Sequence, residues 1–296
     1  MLRLRFSGSI ALLAMAALAA QTGSASARSL AGSDVSSNWA GYVTNGLDAM
    51  SGAPTRFTSV SGGWVQPRAR CSAGGYSAQT SSAFWVGLGG NAQASRSLEQ
   101  VGTEVDCTPE GARYWAWYEL VPAAAVRLKL VVSPGDSLSA AVSVAGTKVS
   151  VRMRNLTRGT AFSKTLRMAA PDTSSAEWIA EAPSVCANSE ECQQLALTNF
   201  GTVAFSGART SSNGHGGSIS DPAWQSSQVS LEARGGGFGS GRFGRQVAAA
   251  QAVPSALGNG GASFSIRWST EQAPAAGGYG DGYGSGRYGY ASARRL

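Results

Sequence analysis

The sequence predicts an all-β protein, built as a sandwich or a barrel of antiparallel strands, and three observations carry this prediction. After the N-terminal segment, apolar and polar residues alternate over short runs, whereas the spacing typical of amphipathic helices is nearly absent. Turn signals recur about every ten residues, as they do between the short strands of sandwiches and barrels. Charged residues make up only 14% of the chain, which suits strands whose solvent faces carry hydroxyl groups.

The N-terminal segment, residues 1–27, is predicted to be a secretory signal peptide. Arg3 and Arg5 precede the apolar run Ile10–Ala20, and Ala25-Ser26-Ala27 forms an A-x-A cleavage site. The run is too short to cross the roughly 30 Å of a bilayer core, and no other segment is suited to do so. We therefore expect a secreted protein with no membrane span.

Beyond the signal peptide, we predict one β-domain at residues 28–269 and a tail at residues 270–296 that is rich in Gly, Tyr and Arg. The tail is expected to be disordered, because it cannot bury enough apolar surface to offset the entropy lost on ordering. The net charge of the whole chain is +7, but the basic residues are scattered along the sequence. We therefore expect no nucleic-acid partner. Separately, we expect the protein to be a monomer.

The four cysteines are expected to form disulfides, because secreted proteins meet an oxidising environment. Cys186 and Cys192 are close enough in sequence to close a loop, which leaves Cys71 and Cys107 to pair across a longer one. Four cysteines allow three connectivities, so the spacing expresses a preference among them. The absence of a C-x-x-C spacing argues against a zinc site made of cysteines.

Two kinds of strand are predicted after the signal peptide. The runs that alternate simply are Val126–Val132, Leu138–Val144, Val149–Arg154, Thr202–Phe205, Gln228–Leu231 and Ser263–Trp268, with a hairpin connection at Ala145–Lys148. The runs rich in aromatic residues are Ser37–Tyr42, Phe84–Gly90, Tyr114–Glu119 and Ala176–Glu181.

The aromatic strands carry polar residues where a plain strand of a sandwich would not. With a period of two, Trp115, Trp117 and Glu119 share one face of their strand. Glu177 and Glu181 likewise share a face in the last aromatic strand. Either the tryptophans belong to the core and the acids are solvated, or the aromatic side chains line a groove for an extended ligand such as a carbohydrate.

Several catalytic chemistries are excluded by the residues that the chain contains. With His215 as its one histidine, the chain cannot form an H-E-x-x-H zinc site, and it has no G-x-S-x-G elbow. It lacks the paired Asp-Thr/Ser-Gly loops of aspartic peptidases, and no glycine-rich loop suited to phosphate opens a helix. We therefore expect no metal and no cofactor, and any hydrolysis must use carboxylates, amides and water.

Six short strings, in order along the chain, resemble the motifs of the glutamic peptidase family, the eqolisins or pepstatin-insensitive acid peptidases. The strings are Ser37–Gly41, Trp85–Gly90, Leu98–Gly102, Tyr114–Pro122, Ala176–Glu181 and Leu197–Gly201. The resemblance extends from about Ser36 to Ser206, with Ser263–Trp268 as a plausible last strand. It implies an antiparallel β-sandwich of two bent sheets, of the concanavalin-like or jelly-roll type, with a concave substrate groove.

The resemblance also implies a function and a set of site residues. Gln100 and Glu181 match the catalytic dyad of the family, while Trp85, Trp117 and Glu119 are the candidates for substrate binding. The implied activity is that of a secreted acid endopeptidase that acts on proteins or peptides through an activated water. The alternative is a non-catalytic secreted β-sandwich that binds peptide or carbohydrate.

Two departures from the family pattern stand out. The family has an aspartate in its W-V-G-I-D-G string, where this chain has Gly89, so any support given by that carboxylate is lost or supplied from elsewhere. Cleavage after Ala27 would leave only a short segment before Ser36, with little room for a propeptide.

Overall fold

The computed structural model describes residues 33–47, 52–71, 79–92, 95–186, 192–232 and 250–270, and the backbone of residues 293–295. The predicted signal peptide and nearly all of the predicted tail lie outside the described residues.

Nearly all of the described chain is β-structure, which confirms the predicted fold class. The strands are β1 Ser33–Ser36, β2 Trp39–Asn45, β3 Phe57–Val65, β4 Thr80–Gly89, β5 Leu98–Thr108, β6 Gly111–Val121, β7 Val126–Arg127, β8 Ser137–Ala145, β9 Lys148–Asn155, β10 Thr160–Arg167, β11 Ala176–Glu181, β12 Ser184–Cys186, β13 Cys192–Gln194, β14 Ala196–Leu197, β15 Thr202–Ser212, β16 His215–Ser218, β17 Gln225–Glu232, β18 Gln251–Pro254, β19 Phe264–Ser269 and β20 Ala293–Arg295. The one helical element in these ranges is a short 3-10 turn at Asn259–Gly261. No helix in the described part of the chain is long and apolar enough to cross a membrane.

Seventeen of the strands form one continuous sheet that is mostly antiparallel and is folded into two halves. In the front half the order is β1-β17-β2-β11-β4-β5-β6-β7, with β14 paired to the start of β4. In the back half it is β18-β19-β15-β3-β8-β9-β10, with β16 paired to β15. The halves are joined where Leu231 and Glu232 pair with Ala252 and Gln251. Two layers facing each other agree with the expected sandwich.

The main core lies between the two halves. Tyr42 of β2 packs edge-on against Phe264 of β19, with ring centroids 4.7 Å apart. The indole N–H of Trp178 in β11 donates to the carbonyl of Ser61 in β3 at 2.8 Å. A Cβ on Gly62 would lie only 2.9 Å from the Trp178 ring, so glycine allows the layers to approach this closely.

Both disulfides have the preferred connectivity. Cys71–Cys107 attaches the segment after β3 to the end of β5, and Cys186–Cys192 closes the β12–β13 hairpin. Paired cysteines indicate that the protein folds in an oxidising environment.

The strand predicted at Val126–Val132 is only partly correct. Pairing with β6 covers β7 and ends with the bond from the Leu128 N–H to the Ala116 carbonyl, although burial continues to alternate, with Leu128, Leu130 and Val132 inward. Alternation of burial requires only an extended backbone, so a period of two cannot distinguish a paired strand from an extended segment lying over the core.

Candidate active site

The face of the front half that points away from the back half carries the polar and aromatic residues singled out in the sequence. The strand register arranges this face in three rows that run across β2, β11, β4, β5 and β6. The first row is Trp39, Glu181, Ala83, Glu104 and Trp115; the second is Gly41, Ile179, Trp85, Gly102 and Trp117; and the third is Val43, Glu177, Gly87, Gln100 and Glu119.

Glu181 ends β11 in the first row and is fully buried. Its Oε2 accepts a hydrogen bond from the indole Nε1 of Trp85 at 2.8 Å, and its Oε1 accepts one from Nδ2 of Asn38 at 3.3 Å. Asn38 is held by Ser36, whose hydroxyl donates to Oδ1 of Asn38 at 3.1 Å. Two neutral donors, the indole of Trp85 and the amide of Asn38, thus hold the two oxygens of the Glu181 carboxyl group.

Gln100 lies in the third row and is also fully buried. Its Nε2 donates to Oε2 of Glu119 at 2.7 Å on the directly opposed position of β6. The Oε1 atom of Gln100 has no hydrogen-bond partner among the described residues. A carboxylate can only accept, so Glu119 orients the amide with its nitrogen toward β6 and its oxygen away from it.

The Trp85 indole lies between Glu181 and Gln100. Its nitrogen reaches Glu181, while its Cζ3 is 2.9 Å from the place where a Cβ on Gly87 would lie, and the Cβ of Gln100 is 3.2 Å from that same place. A Cβ on Gly102 would lie 2.6 Å from the Cβ of Trp85. The absence of a side chain at Gly87 and at Gly102 therefore makes room for the Trp85 ring over β4 and β5.

Two further glutamates near Gln100 have altered acidity. Burial raises the pKa of Glu99 to about 8, and the Asp172 carboxylate adds to this effect, while the backbone N–H of Asp172 donates to Oε1 of Glu99 at 3.1 Å and opposes it. Burial also raises the pKa of Glu177 well above its usual value. These groups therefore hold protons in the folded protein at pH values where free glutamate is ionised.

Two more carboxyl groups, those of Glu104 and Asp106, lie on the same face of β5 at the end of the site where Glu181 is found. The Ser81 hydroxyl lies 2.5 Å from Oε1 of Glu104 and 2.8 Å from Oδ1 of Asp106. The indole of Trp115 donates to Oδ2 of Asp106 at 2.9 Å. Burial raises the pKa of Asp106, and the hydrogen bonds from Ser81 and Trp115 only partly oppose it.

Asp172 occupies the space beside Gly89, where the family pattern has an aspartate. A Cβ on Gly89 would lie 2.5 Å from the Cβ of Asp172 and 2.7 Å from its Cγ. Oδ2 of Asp172 accepts from the backbone N–H of Gly90 at 3.2 Å and from the Ser95 hydroxyl, and Oδ1 accepts from the N–H of Ser174 at 2.9 Å. Burial raises the pKa of Asp172, but the hydrogen bonds from Ser95 and Ser174 outweigh it and hold the pKa below its usual value.

The structure brings together all five residues predicted for the site. Gln100, Glu181, Trp85, Trp117 and Glu119 project from one face of four adjacent strands. Gln100 and Glu181 are not hydrogen-bonded to each other in the described structure.

Sequence reasoning did not assign roles to Asn38, Glu104 or Asp172. Asn38 lies within the quoted Ser37–Gly41 string, so the signal was present there. Asp172 comes from the segment before β11, and no local pattern marks it as a neighbour of Gly89. A cavity of about 550 Å³ lies on the opposite side of β6 and is lined by Tyr118, Leu120 and the β10 end, so it is separate from this site.

The family model described as the peptidase A4 family matches residues 37–232. The chain belongs to the peptidase A4 family. Among curated proteins no relative matches it. Of solved structures, scytalidoglutamic peptidase with a peptide-based transition-state analogue is 26% identical, with a TM-score of 0.58, over 79% of this chain and 98% of that one.

A second solved structure is SCP-B, a member of the eqolisin family bound to the tripeptide Ala-Ile-His. It is 25% identical to this chain, with a TM-score of 0.56, over 79% of this chain and 98% of its own. The predicted family and the predicted enzyme class, a glutamic endopeptidase, are confirmed by the matched family model and these two structures.

Proposed function

We propose that this family member is a secreted acid endopeptidase in which Glu181 and Gln100 act together on a water and a peptide carbonyl. The observation that carries the proposal is the placement of both side chains on one buried, aromatic face, two strands apart, where the Trp85 indole donates to Glu181 and lies beside Gln100. The proposed substrates are proteins or peptides, the class implied by membership of the peptidase family.

Glu181 is the proposed base and acid. As a carboxylate it takes a proton from the attacking water while the water oxygen bonds to the peptide carbonyl carbon. The proton then passes from Glu181 to the leaving nitrogen as the C–N bond breaks, so Glu181 ends the cycle ionised. Asn38 and Trp85 support both steps, because their N–H groups hold the two carboxyl oxygens in place throughout.

Gln100 is the proposed orienting and stabilising group. One amide hydrogen is engaged by Glu119, which leaves the second hydrogen to donate to the oxyanion that develops on the carbonyl oxygen. The amide oxygen accepts a hydrogen from the same water. Because an amide does not ionise, Glu181 alone of the two changes charge.

The test is proteolysis of unfolded casein at acidic pH with pepstatin present. We expect Glu181→Gln to remove activity, because the carboxamide cannot accept the proton. Gln100→Ala should lower kcat by about 10²- to 10³-fold, the usual loss when an oxyanion donor is removed.

Glu232→Gln is the matched control, because it removes one glutamate of the front half at the far end of β17. It should leave proteolysis unchanged. Activity that survives Glu181→Gln, or a maximum rate at neutral pH, would count against the dyad.

The aromatic face also suits a protein that only binds peptide or carbohydrate. Trp39 and Trp85 pack edge-on there with centroids 5.0 Å apart, and aromatic rings of this kind contribute large apolar contact areas in binding sites. Glycan binding by the wild type without any casein cleavage would favour this alternative.

Secretion is supported by the N-terminal sequence and by the two disulfides. N-terminal sequencing of protein recovered from the culture medium is expected to start at Arg28. An intact N-terminus on exported protein would contradict the predicted cleavage site.

A further inference from the structure

Charge is segregated between the two halves of the sheet. The eight strands of the back half, β3, β8, β9, β10, β15, β16, β18 and β19, contain seven Lys or Arg residues and no Asp or Glu. The nine strands of the front half contain eight acidic residues and only Arg113 and Arg127 as cations. The overall pI near 9.5 is therefore an average over a half whose strands are basic and a half whose strands are acidic.

Six of the seven cations point outward from the back half, and we call them the basic face. They are Lys148, Arg152, Arg154, Arg167, Arg209 and Arg267, all exposed. None of them forms an ion pair or a side-chain hydrogen bond within the described residues. The acids at the margin of this half are already engaged, Asp136 by Arg158 and Asp221 by His215.

The register shows how the basic face is spaced. Arg152 pairs with Ala141, Ala141 with Ser61, and Ser61 with Arg209. Three strand spacings place Arg152 and Arg209 roughly 14 Å apart, and Arg154 follows Arg152 by about 7 Å along β9. The positions between the cations carry small or hydroxyl side chains, so nothing stands between the charges and a broad ligand.

Part of this arrangement costs stability in the free protein. Lys148 and Arg167 are directly opposed in the antiparallel β9–β10 pair, and like charges at such positions repel. A bound polyanion would relieve that repulsion and release its counterions, which is the main source of affinity in such complexes.

We propose that the basic face is a docking surface for an acidic polysaccharide, a polymer that carries carboxylate groups along a hydroxyl-rich chain. Serine and threonine between the cations are suited to sugar hydroxyls, and the disulfides place the protein where such polymers occur. No Phe, Tyr or Trp side chain points outward from these strands to stack on single-stranded bases. The exposed His215 is engaged by Asp221. The one large apolar residue that is exposed in these strands, Val65, lies at the end of β3 and not at the centre of the face, so it does not form a surface that enters a bilayer. Bound this way, the protein keeps its front face directed away from the polymer.

The test measures binding of the full-length protein to immobilised polygalacturonate near neutral pH, at several salt concentrations. We expect affinity for polygalacturonate, none for uncharged dextran, and a decline with salt. The triple variant Arg152→Gln, Arg154→Gln and Arg209→Gln should bind at least about tenfold more weakly. The control triple Arg68→Gln, Arg96→Gln and Arg113→Gln removes the same charge elsewhere and should stay within about twofold of wild type.

A third triple, Arg152→Lys, Arg154→Lys and Arg209→Lys, keeps the charge and should retain binding, which would show that the loss follows the charge. The thermal unfolding of the first Gln triple, which should match that of the wild type, separates lost binding from a folding defect. Equal loss in both Gln triples would overturn the proposal, because net charge and not this face would then govern binding. Tighter binding to duplex DNA or to anionic vesicles than to polygalacturonate would overturn the choice of partner. The measurement uses no peptide, so its outcome is independent of the proposed catalysis.

Discussion

At the scale of single residues, Gly89 and Asp172 show one carboxylate supplied from a different part of the chain. The resemblance places an aspartate at position 89, yet the positive φ of +82° at Gly89 and its contact with Asp172 leave no room for a side chain. The Asp172 carboxylate instead links the β4–β5 turn, through Gly90 and Ser95, to the segment that leads into β11. The strands that carry Gln100 and Glu181 are thereby held together near one end.

This interpretation predicts a non-additive double mutant. Gly89→Asp alone should destabilise the protein, because the new side chain meets Asp172, and Asp172→Gly alone should do so by removing the acceptor for Gly90 and Ser95. The double mutant should lose less unfolding free energy than the two single mutants added together, by about 1 kcal/mol or more. The reason is that Gly89→Asp supplies, from β4, the carboxylate that Asp172→Gly removes. Urea unfolding of all four proteins measures the coupling.

The control for this cycle replaces Gly89→Asp by Gly89→Ala in the presence of Asp172→Gly. That pair relieves the steric conflict without restoring a carboxylate, so it should be less stable than the pair with aspartate. If the two pairs are equally stable, the carboxylate has no linking role.

At the scale of elements, two strands that the sequence did not predict, β3 and β10, lack the alternation of apolar and polar residues that marks a strand. β3 contains Gly62 and Gly63, which normally weaken a strand, but a Cβ on Gly63 would lie 2.6 Å from the carbonyl oxygen of Leu138. β10 pairs only with β9 and has exposed residues on both faces, so it lacks the apolar alternation that marks a strand. The β8–β9 hairpin, with one apolar face and one solvated face, was predictable for the opposite reason.

The edge pair β9–β10 gives a prediction about stability. Arg167→Gln removes the repulsion from Lys148, and Arg167→Glu replaces it by attraction, so stability should rise in the order wild type, glutamine, glutamate. The total gain should be between a few tenths and about 1 kcal/mol. Thermal or urea unfolding at low ionic strength measures it.

Salt provides the control for this order. At high ionic strength the three proteins should converge, because exposed charges are screened. An order that persists in high salt would show that side-chain packing and not charge is responsible.

At the scale of the whole molecule, the site was predictable only through the family resemblance. Gln100 and Glu181 are far apart in sequence, and they share a face because β11 inserts between β2 and β4. Alternation within each strand indicated which residues share a face of that strand. It could not indicate the order of the strands, so neither the rows across the sheet nor the contact between Asp172 and Gly89 followed from it.

The buried carboxyl groups of the front half give the molecule a definite pH dependence. Burial raises the pKa of Glu99 from its usual 4.5 to about 8 and raises that of Glu177 well above 4.5. The folded protein therefore binds more protons than the unfolded chain in this interval, so the free energy of unfolding falls as pH rises through it. Asp136 and Asp172, whose pKa values are lowered, act in the opposite sense: their stabilising contribution is complete above the usual aspartate pKa and is lost as pH falls through their lowered pKa values. Stability should consequently be greatest in mild acid.

Urea unfolding from about pH 4 to about pH 8 tests this dependence, and we expect a loss of a few kcal/mol for the wild type. Glu99→Gln should flatten the curve, because the amide keeps the bond from the Asp172 N–H but cannot ionise. Glu110→Gln, which removes an exposed carboxylate in the turn between β5 and β6, should leave the slope between about pH 5 and 8 unchanged, because the pKa of Glu110 is lowered and the group is already ionised there. A wild-type curve that rises toward neutral pH would mean that Glu99 and Glu177 are ionised in the folded protein, which would contradict the raised pKa values that burial gives them.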